Sequence, residues 1–108
     1  MENKDLGKTS TGMQPNMEAL LSYVLGFITG LIFYLVEKEN KFVRFHAMQS
    51  IVVFGGLFVI GFVIMLIPLI NVVFWLAELI LWVLLMIKAY QGEKFKLPVA
   101  GDIAEKNI

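Results

Sequence analysis

The sequence predicts an all-α integral membrane protein, a three-helix bundle whose second and third helices form a tight antiparallel hairpin. Three observations lead there. The 108 residues are 58% hydrophobic and 13% aromatic, with a mean hydropathy of +0.77, far from the makeup of a soluble domain. Apolar stretches recur three times near the ~20 residues a helix needs to cross ~30 Å of hydrocarbon. Charged residues gather in the tails and one loop, with Glu78 the exception. Nine basic and nine acidic residues cancel, so no bulk field attracts nucleic acid. Without cysteine there is no disulfide framework and no thiol chemistry.

The elements follow in order. Residues 1–16 are polar, rich in Gly, Ser and Thr, and read as a disordered tail. The transmembrane domain occupies 17–91, with spans at about 17–36, 46–67 and 72–90. In the first, residues 19–36 carry no charge, and Glu37, Lys38 and Glu39 stand where a cleaved signal would want small residues, so the span is retained. The second apolar run, 51–67, reaches span length once His46 to Ser50 join its helix, and Pro68 ends it. "PLIN" is read as the turn into the third span, which is interrupted by Glu78 and by Lys88, placed to snorkel. In the cytoplasmic tail, 92–108, basic and apolar residues alternate from Lys94 to Leu97 before Pro98, a pattern for resting on headgroups or for disorder.

Three spans place the first loop and the C-terminal tail on one side. That side holds Lys38, Lys41, Arg44, Lys88, Lys94, Lys96 and Lys106, against Lys4 and Lys8 on the other, which predicts N-out, C-in.

Helical wheels give each span one small or polar face. Ser22, Gly26 and Gly30 make two small-xxx-small steps in the first, and Gly56 and Gly61 lie with His46, Gln49 and Ser50 in the second. These glycines and Ser22 are the predicted helix-packing interface. The faces either meet in a compact bundle or line a pathway built from several copies. Glu78 is the candidate functional residue inside the membrane, because an ionisable group in hydrocarbon must be paired, hydrated or protonated. By depth it lies near Gly61 and Gly26, and some ~24 Å along the axis from His46, which excludes a direct His46–Glu78 pair.

Chemistry beyond this is sparse. One histidine, no cysteine and no carboxylates at ligand spacing support no metal site. Ser22 and Ser50 lack a base, and the glycine runs lack the Lys-Ser/Thr of a phosphate loop, so neither an enzyme nor a cofactor is expected. In the first turns of the second helix, Arg44 is placed to grip lipid phosphate, and Phe42 and Phe45 sit at the interface. His46, Gln49 and Ser50 turn inward, with Glu37, Glu39 or Glu93 as partners for His46. Anchoring explains the charges; it does not require the amide of Gln49.

The stretch "LSYVLGFITGLIFYLVEKENKFVRFHAMQSIVVF" and the tail "MIKAYQGEKFKLPVAGDIAE" closely resemble the small prokaryotic membrane proteins grouped as a Tic-like family, distantly related to the multispanning Tic component of chloroplast protein import. The resemblance covers about residues 17–106. The family signature falls on Glu39, Asn40, Val43, Arg44, Phe45, His46, Ala47 and Gln49, and on Gly92, Lys96, Leu97, Pro98, Gly101 and Asp102. It implies multi-pass architecture in a prokaryotic plasma membrane and a role for the cytoplasmic motif Glu39, Asn40, Arg44, Phe45, His46 and Gln49. The expected function is a non-enzymatic accessory or oligomerising subunit of a transport or translocation assembly. Its partners are the lipid bilayer and a homo-oligomer or larger membrane complex, with no nucleic acid and no small-molecule ligand. The alternative is a small homo-oligomeric channel or proton-coupled transporter with Glu78 in the pathway.

Overall fold

The computed structural model describes residues 6–107. Five helices follow one another, α1 (Pro15–Val24), α2 (Phe27–Val36), α3 (Lys41–Ile64), α4 (Pro68–Tyr90) and α5 (Ala100–Lys106). Asn40 starts α3 by accepting the Val43 amide at 3.0 Å, as an N-cap should. Residues 65–67 form the turn into α4. Pro68 therefore opens a helix, where its missing N–H costs nothing, and "PLIN" is the first turn of α4. With 24 and 23 residues and mean hydropathies of 2.3 and 2.4, α3 and α4 are both long and apolar enough to cross a bilayer.

The first apolar stretch does not make a span, which corrects the three-helix bundle. Its helix breaks at Leu25 and Gly26, and Gly26 takes φ 63° and ψ −134°, a conformation that needs the absence of a Cβ. The chain then reverses. Gly30 at the start of α2 packs on Ala47 and Ser50 of α3, while Phe27, nearer the break, stacks on the deeper Phe58. The far end of α2 returns to Asn40, where Glu37 accepts that residue's amide. At the start of α1, Asn16 donates to the carbonyl of Tyr90, the last residue of α4. Thus α1 and α2, 10 residues or ~15 Å each, form a hairpin that enters and leaves at the same end of the α3–α4 pair.

Polar side chains close the break and satisfy backbone groups that the interruption frees. Thr29 Oγ1 accepts from the Leu25 amide and donates to the Ser22 carbonyl, Ser50 Oγ donates to the Gly26 carbonyl at 2.8 Å, and Trp82 Nε1 donates to the Tyr23 carbonyl at 2.6 Å.

Consequently the N-terminal segment, the α2–α3 corner and the C-terminal tail share one end, termed here the polar end. The structure lends the expected N-out, C-in arrangement no support, since the described ends lie together. Residues 6–14, expected as part of a disordered tail, lie across the α2–α3 corner, hydrogen-bonded to Glu37 and Asn40. The first part of that predicted tail, residues 1–5, lies outside the described residues. Beyond the polar end α3 and α4 continue as a bare pair, with Leu66 and Leu69 each 83% exposed.

Candidate functional site

The buried polar residues of the motif join the C-terminal tail to the helices. Gln49 Nε2 donates to the Tyr23 hydroxyl at 3.0 Å and to the Phe95 carbonyl at 2.9 Å, while its Oε1 accepts the Leu97 amide at 2.9 Å. Tyr23 in turn stands 2.7 Å from His46 Nδ1, and His46 Nε2 stands 2.8 Å from the Glu93 carbonyl. A carbonyl can only accept, so Nε2 carries the hydrogen, Nδ1 is the acceptor and the Tyr23 hydroxyl donates to it. This continuous, directed chain runs from α1 through α3 to the tail. Tyr23, His46 and Gln49 are all fully buried, where an unmade bond would be costly.

The other motif residues build the same end. Arg44 donates from Nη1 to the carbonyls of Tyr34 and Glu37 at 2.7 and 2.9 Å, and its guanidinium lies 4.1 Å from the Tyr34 ring centre. It closes the C-terminus of α2, where a cation meets the helix dipole, instead of reaching for lipid phosphate. Phe45 is fully buried rather than interfacial, with Lys94 Nζ 5.0 Å from its ring centre. Asn40 caps α3 and also donates to the carbonyls of Leu6 and Lys8. Glu39 contributes a backbone amide to the Glu37 carboxylate. The tail ends in α5, whose Gly101 lies against Gln49 Oε1.

Glu37 and Glu18, which no motif had singled out, form a second cluster at this end. Both are fully buried, and their side chains lie beside each other. Glu37 accepts both the amide and hydroxyl of Ser10 and the amides of Glu39 and Asn40. Burial pushes its carboxyl up, but the bonds from Glu18, Asn40 and Ser10 outweigh this and hold it down at about 2. Glu18, in the first turn of α1 and outside the two spanning helices, is pushed up to about 7 by burial first and then by Glu37.

The predicted packing interface divides in two. Ser22, Gly26 and Gly30 are spent inside the molecule: Ser22 Oγ bonds the Glu18 carbonyl, Gly26 forms the hairpin tip against Phe54, and Gly30 presses on α3. Gly56 faces open space, and Gly61 approaches only the Phe74 ring. Glu78 lines two adjoining clefts on the bare pair, one of about 220 Å³ with Gly26, Phe54, Trp75 and Trp82, and one of about 250 Å³ with Gly61, Asn71 and Phe74. Among the described residues no group of three or more His, Cys, Asp or Glu converges as a metal site would.

Two helices of spanning length, a helical hairpin packed against them and a polar cap at one end fit a helical membrane protein. The chain belongs to the magnetosome magnetite crystal formation protein family, which residues 11–104 match. It is 54% identical over 104 residues to a UPF0132 membrane protein of Methanocaldococcus jannaschii, covering 94% of each chain. To a UPF0132 membrane protein of Archaeoglobus fulgidus it is 48% identical over 100 residues, covering 89% of this chain and 97% of the other. No solved structure matches. These findings overturn the resemblance to a Tic-like family: the motif and tail belong to this other family, and nothing in the matches links the chain to chloroplast import.

Proposed function

We propose that the protein is a two-span, non-enzymatic membrane subunit that assembles through the bare half of its α3–α4 pair, with both described chain ends in the cytoplasm. One observation carries the reading. Trp75 is 62% exposed and Leu79 41%, and Glu78 stands beside them in one cleft with no hydrogen bond or ion pair among the described residues. Lipid can cover the apolar side chains. It is a poor partner for a carboxyl group within hydrocarbon, whereas a second helix pair supplies one.

The charge distribution supports the orientation. All eight described Lys and Arg residues lie at or within a turn of the polar end, and residues 65–67 carry none. The printed names of the relatives support a membrane location and are carried no further. Native mass spectrometry of the protein in nanodiscs tests the proposal: oligomers or a defined hetero-complex are expected, weakened by Gly56→Leu. A strict monomer from its own membrane would sink it.

A second reading rests on the paired clefts. An oligomer that brought several Glu78 side chains together would line a proton or cation path. Flux into liposomes that persists undiminished in Glu78→Gln would remove that reading without bearing on whether the protein assembles.

A further inference from the structure

We propose that Glu18 and Glu37 form a one-proton binding site that fastens residues 6–14 onto the re-entrant hairpin, and that removing this proton releases them. The geometry leaves no other way to satisfy the pair. Glu18 is fully buried; one carboxyl oxygen accepts from Thr11 Oγ1, and the other, Oε1, has no donor. Beside it lies the Glu37 carboxylate, another acceptor, already supplied by Ser10, Glu39 and Asn40. Two carboxylates in contact do not both ionise, and neither forms an ion pair among the described residues. A proton on Glu18 donated to Glu37 satisfies both groups.

The groups facing the pair are hydrogen-bond donors already in use or groups bonded elsewhere. The N-terminal segment presents Ser10 and Thr11, and the α2–α3 corner presents the amides of Glu39 and Asn40. From α3, Arg44 reaches the Glu37 carbonyl, while His46 is bonded to Tyr23 and Glu93. None of these supplies a second proton to Glu18 Oε1. The lock therefore joins three parts of the chain through one titratable group: Thr11 on Glu18, Ser10 on Glu37, and the Leu6 and Lys8 carbonyls on the neighbouring Asn40.

The sign follows from linkage. A carboxyl group that is raised in the docked state keeps its proton when the undocked group, near 4.5, has lost it. Docking thus weakens as pH rises from about 4.5 and reaches its floor above about 7. The two carboxyls titrate as a coupled unit, so the midpoint belongs to the pair.

Hydrogen exchange on the full chain in nanodiscs, corrected for intrinsic rates at about pH 5.5 and about pH 8.5, reads the lock directly. Protection of residues 6–14 is expected to fall at least about tenfold in the wild type, with α3 unchanged. In Glu18→Gln the amide replaces the proton as donor, so protection should persist at both values. Unchanged wild-type protection, or a Glu18→Gln variant that follows the wild type, would overturn the proposal. So would Mg²⁺ or Ca²⁺ restoring protection at the higher pH, because the occupant would then be a cation. Should Glu18→Gln fail to fold, infrared spectra in a Glu78→Gln background decide. A protonated carboxyl band that is lost as pH rises is expected, and a spectrum without one at about pH 5.5 refutes the site.

Discussion

At the polar end of the molecule Tyr23, Phe45, His46 and Gln49 have no exposure at all, and hydrogen bonds tie α1, α3 and the tail together. At the distal end Leu66 and Leu69 are 83% exposed, and one helix pair stands by itself. The helices at both ends carry apolar side chains, so hydrophobicity alone does not decide which of them stay together. Within a bilayer it could not, because lipid tails are as apolar as leucine and give helices little reason to prefer each other. What differs is close packing and polar bonding, and these decide which helices stay together. Where they run out, α3 and α4 go on uncovered, and the surface available for assembly begins.

The strongest way to break this contrast is to pry α2 from α3. A Cβ on Gly30 would lie 2.9 Å from both the Ala47 carbonyl oxygen and Ser50 Cβ, one of them immovable backbone. Gly30→Leu should therefore destabilise the fold by about 3 kcal/mol or more and shift the fluorescence of Trp82, whose indole is bonded to the Tyr23 carbonyl. Gly56→Leu, with open space around its Cβ, should leave unfolding unchanged and act on assembly alone. If the two variants unfold alike, the polar end is not the rigid one.

Much of the two long helices was legible in the sequence. Length and hydropathy marked α3 and α4, and the polar cluster of the motif marked the inward face. The first stretch was misread because apolar continuity carries no sign of direction: a run that crosses a membrane and one that turns back halfway have the same composition. Gly26 looked like a packing glycine, and the local signal of a break, Thr29 placed to bond the carbonyls freed by it, is short and polar within a hydrophobic run. Reversal also brought Glu18 and Glu37 together, a contact a continuous helix forbids to residues nineteen apart, and moved the N-terminal segment to the same end as the tail. Arg44 was assigned to lipid because the end of α2 beside it was not foreseeable.

Gln49 gives the next largest effect. Gln49→Leu keeps the volume but strands the Phe95 carbonyl, the Leu97 amide and one bond of Tyr23, at about 2 kcal/mol. Global unfolding should move less than tail release, seen as faster trypsin cleavage after Lys94 and Lys96. Cleavage at the wild-type rate would show that the tail is held by α5 alone.

Glu78→Gln sharpens the comparison from the distal side. Among the described residues no bond depends on this carboxylate, so stability should stay within about 0.5 kcal/mol of the wild type. The oligomer distribution in nanodiscs should change instead. A large loss of stability in the monomer would mean that the distal half has internal bonding of its own, and the division of the molecule into a braced end and a free end would fail.

The smallest effect belongs to the outermost contacts of the polar end. Glu105 in α5 accepts from Lys94 and Lys96, each at 2.7 Å, and Asp102 meets Lys96 at 3.1 Å. The lysines hold the Glu105 carboxyl down at about 2. A depressed carboxyl contributes above its ordinary pKa near 4.5 and loses that contribution as pH falls toward 2. These side chains are well exposed, so salt screens them and side-chain entropy offsets much of the attraction. Glu105→Gln should therefore loosen α5, measured by exchange at Ile103 and Ala104, without altering the His46 and Gln49 bonds beneath. The loosening should resemble that of the wild type in high salt. An equal loss of protection at Leu97, whose amide is held by Gln49, would show that the surface pairs brace the whole cap.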